Sequence, residues 1–124
     1  MKTPGRDQRK KERRSSSLYL RFMNNQTGEP VGDLADISRI GFRLESLKPI
    51  PINAEFTFRV DLSPEISSKP FMVITAQSRW SRPDPLDGRL FDVGFEIIKI
   101  GPGDTQTFEL ILDRYSSAKS SRLF

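Results

Sequence analysis

Asp36-Ile37-Ser38-Arg39-Ile40-Gly41 is the stretch whose residue types and spacing could do chemistry. Asp36 and Ser38 stand two apart, so on an extended backbone their side chains leave the same face. A carboxylate and a hydroxyl would then share one small volume and form a hydrogen-bonding edge. Gly41 follows where the chain is expected to reverse; glycine enters positive φ without penalty and lets a ligand approach the backbone. An ordinary Asp/Ser turn between two strands would also explain these residues.

The second chemically suggestive stretch is the N-terminus. Residues 1–14 hold seven basic and two acidic side chains, a local charge of +5, whereas the other 110 residues sum to −1. A cationic arm on a near-neutral body points to an anionic partner such as nucleic acid, a nucleotide or a membrane surface. A solubilising tail is the simpler alternative. Within the arm Arg9 and Arg13 are four apart, and Lys10 and Arg14 repeat that spacing in a competing register. The matched arginines favour the first, because each guanidinium offers a planar fork of donors.

Composition narrows the classes. The 124-residue chain has no cysteine and no histidine, so it can form neither a disulfide nor a thiolate metal site, and it lacks the commonest general base. No acid/base pair stands out either, and the expectation is a protein without catalytic activity or metal. No apolar run approaches a membrane span, and Met1 to Arg14 lacks the apolar centre of a secretory signal. The expected location is the cytoplasm.

These residues need a scaffold, and the hydrophobic pattern supplies one. Strands are expected at Ser17 to Met23, Val31 to Ser38, Gly41 to Glu45, Glu55 to Leu62, Phe71 to Arg79 with Trp80 closing it, and Leu90 to Ile98. Pro49, Pro51, Pro83, Pro85 and Asp87-Gly88 mark turns between them. Gly94 suggests a bulge or a close approach. Phe22, Phe56, Phe58, Phe91 and Phe95 recur at period two and are most simply core. Asp104 is placed to cap a helix whose buried face is Phe108, Ile111, Leu112 and Tyr115. The fold class is therefore mainly β, a small antiparallel barrel or sandwich closed by one helix. The expected domain limits are residues 1–16 for a flexible basic arm, 17–115 for the barrel and helix, and 116–124 for a Ser-rich tail.

The pair Arg9-x-x-x-Arg13, followed by Asp36-x-Ser38-x-x-Gly41, resembles the PilZ domain family. The order of six strands, Trp80, Val93-Gly94-Phe95 and the terminal helix fit the same family over Arg9 to Tyr115. Its members are bacterial receptors for cyclic di-GMP. The resemblance thus implies a six-stranded antiparallel β-barrel with a C-terminal α-helix, and a second-messenger receptor that needs no cofactor besides its ligand. It also implies the site: Arg9 and Arg13 for phosphate or for guanine O6 and N7, and Asp36 and Ser38 for the guanine donor edge, with Gly41 giving clearance for the purine. Separately, Lys10, Arg14 and Arg39 are candidates for further phosphate contacts and Trp80 for flanking a guanine, with solvated charge and strand-end packing the simpler readings. The expected output is ordering of the arm on binding and signalling to an effector protein. A small β-barrel that binds single-stranded nucleic acid is the alternative, although the inward alternation of the aromatics leaves little for an exterior stacking platform.

Overall fold

The computed structural model describes residues 19–116. Six strands form a closed antiparallel barrel: β1 Arg21–Asn24, β2 Pro30–Ile37, β3 Gly41–Ser46, β4 Glu55–Asp61, β5 Phe71–Pro83 and β6 Phe91–Ile100. Helix α1, Thr105–Ser116, follows. Around the barrel the order is β1-β2-β3-β6-β5-β4, and β1 pairs with β4 to close it. Closure gives every strand among the described residues a neighbour on each side.

The inward residues follow the period-two pattern. Phe22, Phe42, Phe58, Val60, Met72, Ile74, Val93 and Phe95 are completely buried. Phe42 joins Phe22 at 4.8 Å and stacks on Phe95 at 5.3 Å, and Phe58 meets Phe95 edge-on at 5.1 Å. Phe56 and Phe91 are only partly buried and pack against this core. Helix α1 buries Phe108, Ile111, Leu112 and Tyr115, the face expected from their spacing.

Three departures from the expected elements have physical causes. Among the described residues the first strand begins at Arg21, but Leu20 still lends its carbonyl to the Leu34 amide at 2.9 Å. Trp80 does not close the fifth strand: β5 runs on to Pro83 because β6 offers partners throughout, pairing Trp80 with Gly94 and Pro83 with Phe91. Proline ends the ladder there, having no N–H to give.

The third departure concerns Asp104, which precedes α1 and accepts the Phe108 amide through its backbone carbonyl at 2.9 Å. Its carboxylate faces away from the helix: Oδ2 accepts the Val73 amide of β5 at 3.0 Å, and Oδ1 pairs with Lys69. The aspartate therefore fastens helix to barrel, where a capping bond to the first turn was expected.

Candidate ligand-binding surface

The site grows from a local irregularity in β2. The register between β2 and β3 shifts between Leu34 and Asp36, so Ala35 is an extra residue. Regular alternation would put Asp36 on the inward face with Leu34. The bulge instead leaves Leu34 and Ile37, three apart, both in the core and turns Asp36 to the opposite face. Asp36 is nonetheless 9% exposed, and its Oδ1 accepts the Ile37 amide at 2.9 Å.

Beyond Ile37 the chain reverses at Arg39 and Ile40. Gly41 does not supply a positive φ, contrary to expectation: among the described residues the positive-φ glycines are Gly28 and Gly103. Gly41 is instead the buried first residue of β3, paired with Glu96 of β6. Ser38 organises the turn. Its amide donates to the Gly41 carbonyl at 2.8 Å, and its Oγ accepts the Ile40 and Gly41 amides at 3.3 Å each. The Ile40 carbonyl accepts the Ile97 amide at 2.8 Å, which ties the tip to β6.

Strand register extends the surface sideways. Asp36 pairs with Arg43, Arg43 with Gly94, and Gly94 with Trp80. One lateral row thus carries an acid, a guanidinium, a glycine and an indole across β2, β3, β6 and β5, over about 14 Å at three strand spacings. Trp80 lies on Gly94, and the Arg82 guanidinium stacks over the indole with its Cζ 4.9 Å from the ring centre. Arg39 donates to Glu109 of α1 at 2.8 Å. A groove of about 820 Å³ separates the turn from the helix, with Ser38 and Arg39 on one wall and Gln106, Glu109, Leu110 and Asp113 on the other.

The structure therefore brings Ser38, Arg39 and Gly41 into one turn, sets Asp36 just before it, and aligns Asp36 in register with Trp80. Arg9, Arg13, Lys10 and Arg14 lie outside the described residues. Arg43 escaped the sequence reading, although its place between inward Phe42 and Leu44 marked it as outward-facing.

A family model described as PilZ domain matches residues 7–114. The chain belongs to the PilZ domain family. Searches of curated proteins and of solved structures gave no match. Membership in the PilZ family implies a cyclic di-GMP-binding receptor or adaptor role, and the family is not a catalytic one. No helix among the described residues is long and apolar enough to cross a membrane.

This PilZ domain also carries a carboxylate cluster that the sequence reading missed. Oxygens of Glu45, Asp84 and Asp92 lie within 4.8 Å of one another. Arg43 approaches Asp92 at 3.4 Å. Burial pushes the Asp92 carboxyl above the usual range; Arg43 draws it down, while Asp84 and Glu45 push it further up. Asp84 also shapes the loop between β5 and β6, its Oδ1 accepting the Leu86 amide at 2.7 Å and the Asp87 amide at 3.2 Å.

Proposed function

We propose that this chain is a non-catalytic cytoplasmic receptor for cyclic di-GMP, with Asp36, Ser38 and Gly41 as the fixed half of the site and Arg9 and Arg13 as the contributed half. The observation that carries this reading is the row Asp36, Arg43, Gly94, Trp80. A carboxylate suits the N1–H and N2–H₂ donors of guanine and arginine suits phosphate or O6 and N7, while the indole, packed on Gly94 and under Arg82, closes the end of the row.

Ser38 has a supporting part in this reading. Its hydroxyl is already engaged with the turn amides, so it holds the geometry from which Asp36 projects. Arg9 to Arg13 add contacts from the arm. Ordering five residues costs roughly 5–10 kcal/mol of backbone entropy, and charge-assisted hydrogen bonds return about 1.5–3 kcal/mol each. The arginines therefore about offset their own ordering, and net affinity rests on the preformed row. Ordering of the arm on the barrel is the signal passed to an effector protein.

Calorimetric titration with cyclic di-GMP and, separately, with a short single-stranded oligonucleotide at two salt concentrations tests the reading. Saturable binding of the dinucleotide is expected. Oligonucleotide binding with a steep salt dependence, and none of the dinucleotide, would replace it with the nucleic-acid alternative. Amide exchange at residues 9–14 that is the same with and without ligand would remove the ordering step.

A further inference from the structure

The turn carries one cation that the fixed half of the site does not use. Arg39 lies between Ser38 and Gly41, yet its guanidinium is held by Glu109 of α1 at 2.8 Å. The two side chains are 70% and 45% exposed, and an ion pair so wet is weak and easily exchanged. The turn does not depend on it. The Ser38–Gly41 bond and the bond from Ile97 to the Ile40 carbonyl fix the tip independently.

Both partners line the 820 Å³ groove that opens beside Ser38. A phosphodiester entering that groove would offer the guanidinium two oxygens in bidentate geometry, where Glu109 meets it through one oxygen. We infer that Arg39 is a phosphate-binding residue of this site held in reserve by Glu109, so that helix α1 competes with the dinucleotide for its guanidinium. The inference rests on the cyclic di-GMP reading and adds regulation to it. Binding detaches the turn from α1 and frees Glu109 beside Asp113, two acids on the same wall of the groove. By reciprocity, a basic segment that occupies Glu109 tightens the dinucleotide by the factor by which the dinucleotide tightens it.

Titration of the full chain with cyclic di-GMP in a double-mutant cycle, at about 0.15 M salt where exposed charges beyond about 8 Å are screened, tests this. Glu109→Gln should tighten binding about two- to fivefold, the range that loss of an exposed competing ion pair allows. Arg39→Gln should weaken it about tenfold, as loss of a charged hydrogen bond does. In the Arg39→Gln background, Glu109→Gln should change nothing further. Asp113→Asn, which removes an acid from the same groove without touching the Arg39–Glu109 pair, should shift binding less than about twofold. Equal tightening by Glu109→Gln with and without Arg39, or by Asp113→Asn, would reduce the effect to general charge and overturn the inference. Glu109→Gln indistinguishable from wild type would overturn it as well. A wild-type chain that binds no cyclic di-GMP would overturn the proposed function and this inference together, whereas a binding wild type with a flat cycle would overturn this inference alone.

Discussion

Trp80 lies so close on Gly94 that a Cβ built on the glycine would stand 2.2 Å from Cε2 and 2.3 Å from Nε1 of the indole. The indole has Arg82 on its ring as well. Its position is therefore set by contacts on more than one side.

Gly94→Ala should displace the ring and destabilise the barrel by about 1–3 kcal/mol, the usual effect of forcing extra volume into a packed contact. Trp80 is the single tryptophan of the chain, so its fluorescence reports the displacement directly. A shifted emission maximum and a lower melting temperature are expected; unchanged values of both would contradict the contact.

Asp104 joins α1 to the barrel through the Val73 amide and Lys69, and its side chain is almost fully buried. Asp104→Ala leaves the Val73 N–H without this acceptor, a loss of about 1–3 kcal/mol in urea unfolding. Asp104→Asn keeps an oxygen for that amide and gives up the charge that faces Lys69, so it should lose less. Equal losses in the two variants would show that the bond to Val73 contributes little.

Much of this architecture was legible in the sequence because period-two alternation reports burial directly. Phe22, Phe58, Val60, Val93 and Phe95 fall inward as their spacing dictates, and Phe108, Ile111, Leu112 and Tyr115 do so at helical spacing. What alternation cannot convey is an extra residue. The bulge at Ala35 decides which way Asp36 points, and no residue type nearby announces it. Long-range register was equally hidden: Arg43, Gly94 and Trp80 come from three strands, and only their pairing aligns them. Glu45, Asp84 and Asp92 meet for the same reason. In the turn, Gly41 suggested the reversal itself, but the Ser38 hydroxyl stabilises it and leaves Gly41 extended at the start of β3.

Asp92 makes stability depend on pH in a definite direction. Burial foremost, and then Asp84 and Glu45, raise its folded pKa above the unfolded value, although Arg43 opposes them. The folded state then holds its proton more tightly than the unfolded state. This contribution is fully present below the usual carboxylate pKa and is lost as pH rises through the raised value. Asp92→Asn cannot ionise, so the stability difference, wild type minus variant, should decline as pH rises from about 3.5 to 7. Melting temperatures of the two proteins across that range measure it, and a difference that stays constant or grows would contradict the assignment.

The sharpest prediction for the site concerns Asp36. Its Oδ1 holds the Ile37 amide, so Asp36→Ala removes both a structural acceptor and the carboxylate assigned to guanine. It should weaken cyclic di-GMP binding by about 2–5 kcal/mol, as truncating one partner of a desolvated charged contact does, and also lower the melting temperature. Asp36→Asn separates the two effects, because an amide oxygen can still accept from Ile37 while its NH₂ meets the guanine donors unfavourably. Melting close to wild type with binding weakened by about 1.5–3 kcal/mol is expected for it, the strength of a hydrogen bond to a charged group. Arg13→Ala should weaken binding by about 2–5 kcal/mol on the same grounds. Calorimetry on the three variants checks the assignment, and wild-type affinity in Asp36→Asn would leave the carboxylate with only its bond to Ile37.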